Sequence, residues 1–106
     1  MEGAQETVTE ISVQVMNKKG VHARAAAKFV KTAALYNAQI LVAKIAGSGV
    51  ASGVEPHEVS ANSILGLMML GAEYNSTLRL RISGEQAPQA TDALTKLIGD
   101  RFGEEE

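Results

Sequence analysis

Between Thr77 and Ser83 apolar and charged side chains alternate, with Leu78, Leu80 and Ile82 on one side and Arg79 and Arg81 on the other. Successive side chains of a strand point to opposite faces, so this segment needs a sheet with one face in the core and one in water. Thr7 to Val15 repeats the pattern, setting Ile11, Val13 and Val15 against Glu10, Ser12 and Gln14. Gln39 to Ile45 is β-branched and apolar and reads as a further strand. Glu58-Val59-Ser60 is short and reads as an edge strand that pairs back on the sheet.

Helical spacing fills the intervals. From Ala23 to about Tyr36 the apolar positions Ala26, Phe29, Val30 and Ala33 fall at i, i+3, i+4 and i+7, and alanines raise the helix propensity. Asn37 is suited to end this helix in left-handed geometry. Ser63 is an N-cap residue for a short helix from Ile64 to about Leu70, which Gly71 closes. That helix is apolar nearly all round, so one side packs and the other stays exposed as a docking surface. Pro88 suits the first turn of a last helix, with Ala90, Ala93, Leu94, Leu97, Ile98 and Phe102 as its buried stripe.

The predicted order is therefore β-α-β-β-α-β-α, an α+β chain. The strands are too few for two stacked sheets, and an antiparallel sheet with helices on one face is the natural packing. Ala46 to Pro56 is rich in glycine and serine and reads as an extended, flexible hairpin tip. His57, with Glu55 and Glu58 beside it, could bind a metal, but the spacing is generic and an exposed loop is the better reading.

A chain of 106 residues suits one domain, its ordered core running from about Thr7 to Phe102. The polar start and the run Gly103-Glu104-Glu105-Glu106 read as solvated tails. A net charge of -2 supplies no basic field for nucleic acid, and 4% aromatics supply no base-stacking platform. The absence of cysteine excludes disulfides and thiolate metal sites and suits a reducing cytoplasm. No apolar run approaches membrane-spanning length, so a cytoplasmic protein is expected.

The chemistry concentrates in Gly20-Val21-His22-Ala23-Arg24. Gly20 can bend the chain through positive φ. His22 then falls at the mouth of the first helix, where unpaired N–H groups and the macrodipole favour an anion. Arg24 adds a permanent charge suited to phosphate. A nucleophile inside an anion site points to a histidine that carries a phosphoryl group. The competing reading is a capping or packed histidine. Lys18 and Lys19, just before the motif, read as a solvated turn or as a steering charge for an acidic partner.

With these elements placed, the sequence resembles the HPr family, the histidine phosphocarriers of the bacterial phosphotransferase system. The motif from Gly20 to Arg24 looks like that family's phosphorylation motif. Ser60-Ala61-Asn62-Ser63-Ile64-Leu65-Gly66-Leu67 is similar to the region of its regulatory serine. The resemblance implies an open-faced β-sandwich, with a four-stranded antiparallel sheet covered on one face by three helices. It implies that His22 accepts phosphate from enzyme I and passes it to the A component of a sugar permease or to a regulatory counterpart. Arg24 would hold the phosphate, and Ser63 would be the target of an HPr kinase/phosphorylase. The docking face would join Ala27 to Ile64, Leu65 and Met68. No metal, cofactor, nucleic acid or membrane is implied, and a monomer is expected. A second reading is a regulatory paralogue of nitrogen-branch or catabolite-control type, acting by phosphorylation-dependent binding.

The sequence departs from the family pattern in three places. Ala25 follows the motif arginine where proline is usual, the loop Ala46 to Pro56 is longer than the usual tight hairpin, and Asn62 stands where lysine is common.

Overall fold

The computed structural model describes residues 7–106, so the start of the chain, Met1 to Gln5 of the predicted polar tail, lies outside the described residues. Its elements are β1 (Thr9–Gln14), α1 (Ala23–Ala33), β2 (Gln39–Ala46), β3 (Glu58–Ser60), α2 (Ile64–Met69), β4 (Thr77–Ser83) and α3 (Ala87–Gly99). The four strands form one sheet in the order β1-β4-β2-β3, and every neighbouring pair is antiparallel. The most strictly alternating segment of the sequence, β4, is an inner strand. Its Leu80 pairs with Ile11 on one side and Val42 on the other, and Leu78, Leu80 and Ile82 are fully buried. Burial of each such side chain is worth about 1.5–3 kcal/mol. Phe29 of α1, Leu67 of α2, and Leu94 and Ile98 of α3 meet them from the helical side. The expected one-sided α+β sheet is the observed fold.

On the open face, Arg79 and Arg81 do point away from the core, yet only one of them is well exposed. Glu58 of β3 accepts from Arg79 Nη2 at 3.1 Å and from Arg81 Nη1 at 3.3 Å. The short edge strand thus covers Arg79 with a carboxylate.

Two boundaries differ from the sequence reading. Helix α1 stops at Ala33, a turn before Tyr36, and Asn37 does not adopt left-handed geometry. Leu35 is exposed, so the apolar stripe has already ended. Asn37 is drawn off by Gln86: its N–H donates to Gln86 Oε1 at 2.7 Å, and its carbonyl accepts from the Gln86 N–H at 2.9 Å. Of the run from Gly103 to Glu106, Gly103, Glu105 and Glu106 are exposed as a solvated tail would be, whereas Glu104 is half-buried. Arg101, Phe102 and Gly103 all have positive φ and form a left-handed turn that sends the chain back toward the start of α1. A phenylalanine in that geometry is costly. It is held by burial, because the Phe102 ring is wholly inside the core.

The long connection 47–57 leaves β2 through Gly47, Gly49 and Gly53, all at positive φ. Lys44 fastens its base. The ammonium donates to the carbonyl of Ser48, to the carbonyl of Gly71 at 2.9 Å and to Glu73 Oε1 at 2.8 Å. Lys44, and next Ser76, which donates at 2.7 Å, lower the Glu73 carboxyl to about 2. A carboxyl depressed on folding stabilises the native state above its ordinary range, and that contribution fades as pH falls from about 4.5 to about 2. Glu73→Gln should therefore lower the melting temperature at pH 7 and leave it nearly unchanged at pH 2. Parallel melting curves across that window check this, and an equal difference at both ends would show that Glu73 does not act through its charge.

Candidate functional site: a histidine at the mouth of α1

The site starts from a backbone constraint. Gly20 has φ of +69°, and a Cβ built there would lie 2.8 Å from Glu73 Cα and closer still to the carbonyl of Ala72. Only glycine fits. The Val21 N–H then donates to that same carbonyl at 2.8 Å, which ties the loop to the segment before β4. Val21 is buried and His22 comes out half-buried with extended backbone, as the N-cap of α1.

The ring of His22 is held at both nitrogens. Nδ1 accepts the backbone N–H of Arg24 at 3.3 Å, and Nε2 meets Glu104 Oε2. The other carboxylate oxygen of Glu104 accepts from Asn17 Nδ2 at 3.0 Å, and the same amide donates to the Gly20 carbonyl at 2.7 Å. Asn17 is completely buried. Burial pushes the Glu104 carboxyl up, but hydrogen bonds from His22 and Asn17 outweigh it and hold the group below the usual carboxylate range. Glu104 is thus a carboxylate at neutral pH.

Arg24 is exposed, and among the described residues its guanidinium makes no hydrogen bond or ion pair. Arg24, Lys19 and Lys28 line a recess of about 310 Å³ together with Glu104, Glu105 and Glu106. His22 does not line this recess; it meets Arg24 through the Arg24 N–H and the recess through Glu104. Among the described residues no cluster of three or more His, Asp or Glu side chains could hold a metal. His57 is exposed and lines a different cleft, between the loop 47–57 and the end of α2.

The second predicted motif lies on α2, which packs against α1. Ser63 is its N-cap, and its hydroxyl accepts the Gly66 N–H at 2.9 Å. Leu67 is buried, whereas Ile64, Leu65, Met68 and Met69 are exposed, and Ala27 on α1 is half-buried.

The model for the PTS HPr component phosphorylation site matches residues 9–100. The chain belongs to the HPr family. It is 40% identical to the phosphocarrier protein HPr of Pseudomonas aeruginosa over 97 residues, which cover 91% of this chain and 97% of that one. Its fold matches the crystal structure of HPr-C-His from Thermoanaerobacter tengcongensis with a TM-score of 0.76 at 36% identity, covering 92% of this chain and 99% of that chain. It also matches a phosphocarrier protein HPr from Bacillus anthracis with a TM-score of 0.73 at 30% identity, covering 87% and 98%. The chain is a phosphoryl carrier of the phosphotransferase system.

Within this HPr fold the sequence reading missed Asn17 and Glu104. The signal for Glu104 was faint: Phe102 continues the apolar stripe of α3, so a buried ring two residues before it had to fix the chain's path. Asn17 gave none, since an asparagine between two predicted elements reads as a turn residue.

Proposed function

We propose that His22 is the phosphoryl-carrying residue of this HPr and that its Nδ1 is the nucleophile. The observation that carries the reading is the Arg24 N–H donated to Nδ1. A nitrogen that accepts a hydrogen bond has its lone pair and no proton. That lone pair sits at the N-terminus of α1, where unpaired N–H groups and the helix dipole favour an incoming dianion. The Arg24 guanidinium at the rim adds a forked donor for the phosphoryl oxygens.

The phosphoryl group comes from enzyme I and goes to the A component of a sugar permease or a regulatory counterpart. The exposed Ile64, Leu65 and Met68, with Ala27, form the docking face, which meets these partners in turn. An apolar patch beside a charged centre suits brief association. This carrier works as a cytoplasmic monomer, with no metal or cofactor, and is not itself an enzyme. Incubation with phosphoenolpyruvate and enzyme I tests the reading. An acid-labile, base-stable phosphate on the chain is expected, and its absence with an active enzyme I would overturn the proposal.

A second role, control through Ser63, is favoured by one observation: the capping hydroxyl lies at the base of the exposed patch. A phosphate there would complement the helix end and leave the fold intact, but it would place a dianion beside the docking face. Aspartate also caps well. Ser63→Asp should therefore preserve the circular dichroism spectrum and slow transfer from enzyme I. Equal transfer rates for variant and wild type would leave Ser63 as a structural cap alone.

A further inference from the structure

We propose that Glu104 is a positioning residue whose carboxylate keeps the proton of His22 on Nε2, so that Nδ1 takes up and releases the phosphoryl group with no proton transfer. The inference rests on His22 being the carrier residue.

The tail is placed by contacts on both sides of Glu104. Before it, the Phe102 ring is buried, and the Phe102 carbonyl accepts from Lys28 Nζ at 2.6 Å. After it, the Glu106 carbonyl accepts the Lys18 N–H at 3.0 Å. The carboxylate between them is oriented by Asn17, itself fixed by the Gly20 carbonyl. A buried amide, a carboxylate and an imidazole thus stand in line. The two contacts on the ring agree: Nδ1 accepts from Arg24, so in the neutral ring the proton belongs on Nε2, where a carboxylate receives it.

The step balances without a further reactant. The Nδ1 lone pair attacks phosphorus, a phosphorus–nitrogen bond forms, and the donor's leaving group departs with the electron pair of the bond that breaks. The ring gains one positive charge, which the Nε2–H shares with the Glu104 carboxylate. In discharge the acceptor's lone pair attacks phosphorus, the phosphorus–nitrogen bond breaks, and its electron pair returns to Nδ1. Neutral imidazole remains, with its proton still on Nε2. If that proton were lost from the phosphorylated ring, discharge would have to expel an imidazolate, a far poorer leaving group. Glu104 therefore matters more for release than for loading. The carboxylate meets the ring at the nitrogen that is not attacked, so it does not oppose the phosphoryl group at close range.

The test uses the full chain with Glu104→Ala and Glu104→Gln. Long-range ¹H–¹⁵N spectra at pH 8 report the His22 tautomer. Loading is measured with phosphoenolpyruvate and enzyme I, and discharge by returning the phosphoryl group to enzyme I with excess pyruvate. Wild type should show the Nε2–H tautomer alone, and Glu104→Ala a mixture of both. Discharge of Glu104→Ala should slow by on the order of tenfold, as when the carboxylate behind a metal-bound histidine is removed, and loading should change less. Glutamine has one acceptor oxygen for two donors, the Asn17 amide and Nε2–H, and no charge, so Glu104→Gln should share the slow discharge. An unchanged tautomer in Glu104→Ala, or discharge at the wild-type rate, overturns the proposal. Labelling that survives His22→Ala would overturn the carrier assignment instead, so the two failures are distinguishable.

Discussion

His22→Ala is expected to abolish phosphoenolpyruvate-dependent labelling, and His57→Ala to leave it at the wild-type level. The two imidazoles differ in surroundings rather than in type. His22 caps α1, with its Nδ1 lone pair at the helix mouth and Arg24 two residues on. His57 is exposed in a loop that supplies no helix end. An exposed imidazole lacks the fixed donors that stabilise a transferring phosphoryl group. His22 fills no core position, but its loss removes the N-cap of α1 and the partner of Glu104, so the melting temperature should fall by several degrees with the fold retained. Phosphate retained on the His22→Ala protein, located by digestion and mass spectrometry under basic conditions, would remove His22 as the carrier. Arg24→Lys offers a finer scale: lysine keeps the charge but loses the planar fork, so transfer should slow with the fold unchanged.

The largest stability effect is expected at Phe102. Its ring is wholly buried against the helical side of the sheet, and truncating a buried phenylalanine to alanine costs about 3–5 kcal/mol. Domains of this size are stable by only about 5–15 kcal/mol. A fall in melting temperature of more than about 12 °C follows. The ring is also what holds the left-handed turn at Arg101–Gly103 against its own backbone preference. Phe102→Ala should therefore loosen the tail even where the rest stays folded, and raise hydrogen exchange at the Lys18 amide, which the tail protects. Phe102→Leu retains most of the volume and should lose far less. If Phe102→Ala costs under about 1 kcal/mol, the core does not depend on the tail.

The legible parts of this fold were those written in period. The alternation in β4 gave its bounds and its buried face, and the serine cap with a following glycine bracketed α2. Such signals are local, and the structure uses them locally. What was illegible depends on partners far away in sequence. Asn37 is a good helix terminator by type, but Gln86 takes both its backbone groups and the helix ends sooner. Arg79 belongs on a wet face by pattern, but Glu58 covers it. The site divides in the same way. Gly20, His22 and Arg24 lie within one turn of chain and were readable together. Glu104 joins them only through a left-handed turn, and no periodicity encodes positive φ at a phenylalanine.

That turn has a consequence for how the molecule is made. His22 and Glu104 are 82 positions apart, so the carboxylate reaches the imidazole only after every element from α1 to α3 has been made. Closing so long a span is among the slower events of folding. During synthesis the histidine, its glycine and the helix behind it emerge well before Glu104, which follows α3. The sheet and helices can therefore be native while the imidazole still lacks its carboxylate. Handling of the protein meets the same constraint: a purification tag fused directly after Glu106 begins at the wall of the recess that Arg24 lines.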